Sequence, residues 1–132
     1  MENKLKEKQN QMGYFLVFTL ADKRFALPLD QVLRAIHAVD ITKIPKAPEI
    51  VRGLVNFSGK ILPVIDISKR FYLPEEDLKP EHYFILIKTK NKSFALFANS
   101  VEGLKQEMIT NIIPPSNIVT GVEFLAGVMR LD

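Results

Sequence analysis

The sequence contains no cysteine and no tryptophan, and its only histidines are His37 and His82. Without a thiol there can be no disulfide, iron–sulfur cluster, thiolate zinc site or cysteine nucleophile. Two imidazoles far apart in sequence leave little for general acid–base or metal chemistry, and each reads as structural or solvent-facing. The six glycines are scattered, with no run that would cradle a phosphate. Ser58-Gly59 lacks the Gly-x-Ser-x-Gly of a nucleophile elbow. Asp22, Asp30 and Asp66 fall at turns or helix starts, where aspartate serves as a turn former or cap. No pair of carboxylates has the spacing of an acid–base couple, and no helix carries two ligands one turn apart. The sequence thus predicts no enzyme, no catalytic residue, no metal site and no cofactor.

Long apolar runs are also missing; nothing approaches the ~18 residues of a membrane-spanning helix. Tyr14–Ala21 is apolar behind a lysine-containing start, as in a signal peptide. Glu2 and Glu7 dilute that leader, however, and nearly the same apolar segment recurs at Tyr83, where a cleavable leader has no reason to be. A cytoplasmic location is expected. The 132 residues, 47% hydrophobic and 25% charged, make one globular domain or two small fused units. Charge is uneven: residues 1–72 carry twelve basic and seven acidic groups (+5), and 73–132 carry six and eight (−2). This describes one more basic face rather than a polyanion clamp.

Residues 1–12 are polar and read as a flexible tail. From Tyr14, YFLVFTL and RFALPL flank Asp22-Lys23-Arg24 and predict a hairpin. Asp30 through Ala35 starts with a capping residue and predicts one or two helical turns, followed by a strand over His37–Ile44. Pro48–Val51 suits a single turn. Gly53–Phe57 and Lys60–Ile65 flank Ser58-Gly59, a second hairpin, and Asp66 caps a short helix through Phe71. Leu73–Glu81, with two prolines and four acids, reads as a solvated connector.

Displaced by 69 residues, YFLVFTLADKRFALPLDQV falls on YFILIKTKNKSFALFANSV. Tyr14/Tyr83, Phe15/Phe84, Lys23/Lys92, Phe25/Phe94, Ala26/Ala95, Leu27/Leu96 and Val32/Val101 are identical. The same shift places Ile44-Pro45 on Ile113-Pro114, and after five inserted residues Gly53-Leu54-Val55 meets Gly127-Val128-Met129. The chain therefore reads as two copies of one hairpin-rich unit, about 14–72 and 82–132. Chance likeness of two buried hairpins is the alternative, weakened by the paired Ile-Pro and Gly positions.

Two binding functions compete. A small basic β-barrel could bind RNA or single-stranded DNA through aromatics and lysines. The phenylalanines and tyrosines, however, alternate into a core, and Lys88, Lys90 and Lys92 surround a hairpin turn, where lysine guards a sheet edge. The other reading rests on a motif. Ile50-Val51-Arg52-Gly53-Leu54-Val55-Asn56-Phe57-Ser58-Gly59-Lys60-Ile61-Leu62-Pro63-Val64-Ile65-Asp66 resembles the signature of CheW-like chemotaxis coupling proteins. Tyr14 to Ile36 resembles that family's first hairpin, and Asp40–Pro45 its next strand, so the resemblance runs from Tyr14 to Asp132.

The resemblance implies a mainly β fold of two SH3-like five-stranded barrels with short helices. It implies an adaptor in cytoplasmic receptor arrays, binding a chemoreceptor's tip and the regulatory domain of a CheA-type histidine kinase, with no nucleic acid involved. Carried over by motif, kinase contacts are Val32, Arg52, Gly53, Ile113, Pro114 and Ile118, though core packing accounts equally well for the apolar ones. Where the family commonly sets a glutamate against an arginine on the receptor-facing surface, this sequence has Arg34 and Ser58. The second copy reaches Asp132 at the turn where the first copy returns through Lys60–Ile65. A second barrel short of its final strand is therefore expected, with an open edge at the C-terminal strand that invites self-association.

Overall fold

A computed structural model describes residues 11–115, 119 and 121–130. Ten strands follow one another: β1 Met12–Leu20, β2 Lys23–Pro28, β3 Val32–His37, β4 Val51–Phe57, β5 Lys60–Ile65, β6 Tyr83–Lys88, β7 Ser93–Ala98, β8 Ser100–Met108, β9 Ile112–Ile113 and β10 Gly127–Met129. Short 3-10 turns cover Leu29–Gln31, Ser68–Phe71 and Ile109–Asn111. β1 begins at Met12, which pairs with Met108, so the last residue assigned to the tail is already strand.

The strands form two five-stranded sheets, β8-β1-β2-β10-β9 and β3-β6-β7-β5-β4. The mainly β fold with two five-stranded units is thus met, but each sheet draws on both halves of the chain. The repeated hairpins β1–β2 and β6–β7 sit in matching places, and the strand after each crosses over. β3 pairs with β6, and β8 pairs with β1. The two ends of each sheet order come together through the chain itself. β8 runs into β9 through Ile109–Asn111, and the chain beyond β3 reaches Thr42, which exchanges two 2.8 Å backbone hydrogen bonds with Leu54 of β4.

β1 and β2 are apolar on both faces because both faces are covered. Leu16, Phe18, Leu20, Phe25 and Leu27 enter a large core with Phe84, Ile85, Phe94, Leu96 and Phe97 of the second sheet. Val17 and Ala26 point the other way, into a small cluster with Ile112 and Met129. Each fully buried Phe or Leu contributes about 1.5–3 kcal/mol. Since the large core takes side chains from both sheets, neither sheet keeps its stability alone.

The structure corrects two local expectations. The helix expected from Asp30 is one 3-10 turn, Leu29–Gln31, and Val32–His37 is strand. An N-cap signal yields here to the β-branched Val32 and Ile36, which pair with Ile87 and Phe84 of β6. The strand expected over His37–Ile44 ends at His37, leaving Thr42 as an isolated bridge. The short helix expected after Asp66 is met as the 3-10 turn Ser68–Phe71, where the Asp66 carboxylate accepts the Ser68 N–H at 2.9 Å.

The C-terminal edge also differs. Among the described residues no strand follows β10, yet β10 is not open. It pairs with β2 through Gly127–Ala26 and Val128–Phe25, and with β9 through Val128–Ile113 and Met129–Ile112. The row of unpaired groups expected there is filled from both sides.

Candidate functional site

The β4–β5 hairpin is the centre of the candidate surface. Its two-residue loop Ser58-Gly59 closes Phe57 onto Lys60, with φ of +51° and +84°. Two successive positive φ values match the right-handed twist of the strands, and glycine takes its value without strain. The Asn56 carboxamide accepts the Gly59 N–H at 3.1 Å, which fixes the loop. Ser58 is exposed at its tip.

Arg34 comes to this tip from β3, at the opposite end of the sheet order. Its guanidinium lies 5.4 Å from the centroid of the Phe57 ring, and the side chain remains exposed. Arg34 thus lies against Phe57, the residue before Ser58, in a cation–π contact. Neighbouring Leu33 and Ile61 are 63% and 65% exposed, a high figure for large apolar side chains.

Arg52 and Gly53 lie at the other end of β4 and turn inward. Arg52 Nη1 is 3.4 Å from Asp66 Oδ2, and Nη2 donates to the Glu76 carbonyl at 2.9 Å. The same guanidinium lies 4.9 Å over the Phe97 ring. Asp66 is buried, so this pair holds a carboxylate that would otherwise be stranded away from water. Gly53 is buried against the strand bridge; a Cβ there would stand 2.5 Å from the Thr42 carbonyl oxygen. Val32 starts β3, half-buried against the large core. Of the second copy's residues, Ile113 sits on β9 opposite Val128, 45% exposed, and Pro114 follows it, exposed. Both belong to the first sheet, whereas Val32, Arg34, Arg52, Gly53 and Ser58 belong to the second. Ile118 lies outside the described residues.

The sequence reading missed a polar chain linking Arg52 to the first hairpin. Glu76 Oε2 lies 3.5 Å from His82 Nε2 and accepts from Asn99 Nδ2 at 3.3 Å. Asn99 Oδ1 in turn accepts the Ala21 N–H at 2.7 Å, and its own N–H donates to Thr19. His82 is buried, its Nδ1 accepts the Lys79 N–H at 3.1 Å, and its ring meets Phe97 edge-on at 5.0 Å. The acidic connector is therefore fastened, with Leu78 packed on the core. Only the burial of His82 beside that connector could have signalled this, and burial of one residue is not written in local sequence. His37 is exposed and stacks on Tyr83 at 4.5 Å.

Among the described residues no group of three His, Asp or Glu side chains is placed to hold a metal ion. No helix there is long and apolar enough to cross a membrane. The Glu123 carboxyl is held below the ordinary glutamate pKa, because its own backbone N–H and that of Gly121 hydrogen-bond to it.

Residues 14–132 match the family model described as the CheW-like domain. The chain belongs to the CheW-like domain family. It is 24% identical over 121 residues to the chemotaxis protein CheW of Treponema pallidum, covering 87% of this chain and 71% of that one. Against CheW of Rhizobium meliloti it is 25% identical over 134 residues, covering 100% and 86%. Against the protein FrzA of Myxococcus xanthus it is 27% identical over 101 residues, covering 76% of this chain and 63% of the relative. Among solved structures, the scaffolding protein TtCheW from Thermoanaerobacter tengcongensis aligns with a TM-score of 0.70 and 30% identity, over 83% of this chain and 75% of that one. The CheW-like assignment agrees with the mainly β, two-unit fold, and the nucleic-acid reading finds no support among these relatives.

Proposed function

We propose that this chain is a chemotaxis adaptor that couples chemoreceptors to a CheA-type histidine kinase by binding alone. The observation that carries this reading is the CheW-like match over residues 14–132, which spans both sheets. The scaffolding protein TtCheW shares that fold. In this reading the protein works at the cytoplasmic face of receptor arrays and has no catalytic step of its own. The receptor tip docks on Arg34 and the Ser58 loop, where the exposed guanidinium supplies charge and Leu33, next to it on β3, supplies apolar area. The kinase's regulatory domain takes the surfaces around Val32, Arg52 and Gly53 and around Ile113, Pro114 and Ile118. Arg52 and Gly53 act there by holding β4 in place, since their contacts are internal.

The test is a binding assay of the whole chain with a CheA regulatory domain and with a receptor tip, beside a salt-titrated oligonucleotide control. Saturable binding to both proteins is expected. Loss of affinity for both, with micromolar oligonucleotide binding that falls steeply with salt, overturns the proposal.

A further inference from the structure

Among the described strands, one edge of the first sheet is β8, three places from β10 in the sheet order. β8 is nine residues long, ends the sheet order, and bonds only to β1 among the described strands. A long free edge is a template for another strand unless something twists or blocks it. Here only its first four residues are bent: the ladder with β1 slips between Val17 and Phe18, opposite Val101–Gly103, and Gly103 has φ of +104°. Leu104–Met108 then runs in regular register opposite Met12–Leu16.

The side chains of that regular segment are self-complementary. Cross-strand partners share a face, so Leu104, Gln106 and Met108 lie with Leu16, Tyr14 and Met12, and Lys105 and Glu107 lie with Phe15 and Gly13. Set a second copy antiparallel with Gln106 against Gln106. Lys105 then faces Glu107 of the other copy, twice by symmetry, and Leu104 faces Met108, also twice. The alternative centred on Lys105 sets like charges opposed. Among large apolar side chains, Met12, Tyr14 and Leu104 are 45%, 59% and 58% exposed. All three stand on the face where the second copy would add Met108, Gln106 and Leu104. Lys105 makes no ion pair among the described residues, and Glu107 only accepts from Asn111 Nδ2 at 3.5 Å.

We infer that the Leu104–Met108 edge of β8 pairs with the same edge of a second copy, in an isologous antiparallel dimer centred on Gln106. The occupant is a second copy because reversal about Gln106 exchanges Lys105 with Glu107, so the edge meets its own charge complement.

Sedimentation of the whole chain across concentration is expected to show mass rising from 15.0 kDa toward twice that value. Lys105→Glu and Glu107→Lys each oppose like charges at both pairs and should weaken the dimer about tenfold. The double exchange K105E/E107K restores it, and an equimolar mixture of the two single variants forms a mixed dimer. Because the chain has no cysteine, Gln106→Cys offers one thiol, which should oxidise to a covalent dimer much faster than Ser58→Cys. Thermal melts of each variant confirm that the fold is kept. A wild type that stays monomeric at millimolar concentration overturns the inference. So does a dimer indifferent to both reversals, whose two variants do not cross-associate.

Discussion

Ala26 and Ala95 are the same residue in the two copies of the repeat, in the same place on their hairpins, yet different strands lie beside them. Ala26 of β2 faces Gly127 of β10 in an antiparallel pairing, whereas Ala95 of β7 faces Val64 of β5 in a parallel one. Beyond that point the sheets agree again. Gly53 on β4 presses against the Thr42 backbone, and Gly127 on β10 presses against that of Ile113. The second sheet thus has one strand, β5, for which the first has no counterpart among the described residues, and β10 closes directly onto β2. A hairpin's own pattern determines its two strands and its buried faces. What flanks it depends on how much chain is at hand to cover the ladder.

The comparison breaks most sharply at the two glycines. Gly53→Ala should cost about 2–4 kcal/mol, because β4 is held by β5 on one side and by the Thr42 bridge on the other and cannot recede. Gly127→Ala meets an even closer neighbour in the Ile113 carbonyl, but β10 is three residues long and held by only two pairs to β2 and two to the two-residue β9, so it can shift. Its cost should be smaller. Urea midpoints of the two variants measure this, and equal losses would mean that β10 is held as firmly as β4.

Next in size is Arg52→Ala, expected to cost about 3 kcal/mol, since it leaves the buried Asp66 carboxylate unpaired and removes the hydrogen bond that fastens Glu76. Arg52→Lys keeps the charge but not the bonding fork, and should recover less than half. If kinase affinity falls in Arg52→Ala while the melting temperature does not, Arg52 is a direct contact instead.

The comparison also shows why some of the fold was legible and some was not. YFLVFTL and YFILIK announce buried strands, and Ser58-Gly59 announces its loop, because each signal is complete within a few residues. The exchange of β3 and β8 between sheets is not local: Ile36 meets Phe84, and Leu16 meets Leu104. Nothing within β3 distinguishes that partner from a helical turn after Asp30. The 69-residue shift that sets Ile44 on Ile113 differs from the structural match for the same reason. The residue that faces the buried glycine is Thr42 in one sheet and Ile113 in the other, and only the pairing reveals it. Of the candidate site, Arg34 and Ser58 are both exposed, and Arg34 lies on Phe57 beside the Ser58 loop. The motif could not say that its Arg52 and Gly53 face inward.

Exposed Arg34 and internal Arg52 should therefore respond oppositely. Arg34→Ala removes one exposed cation–π contact and should change stability by less than about 1 kcal/mol, while receptor affinity falls about fivefold or more. Arg34→Glu should weaken receptor binding further without lowering the melt. A loss of stability comparable to that of Arg52→Ala would place Arg34 among the internal supports.

The smallest effect concerns Glu123, in the segment that leads to β10. Its carboxylate accepts its own N–H and the Gly121 N–H, which favours the charged form and lowers its pKa in the folded chain. A carboxyl lowered on folding adds stability above its unfolded pKa and loses it as pH falls through the folded one. Wild type should therefore lose slightly more stability than Glu123→Gln between neutral pH and the acid range below the ordinary glutamate pKa. Because the group is fully exposed, the difference should shrink in high salt. Denaturation midpoints of the two proteins across that range, at low and high salt, measure it. Parallel curves would mean that the 121–123 turn holds its shape without the charge, so that β10 is placed by its ladder with β2 and β9 alone.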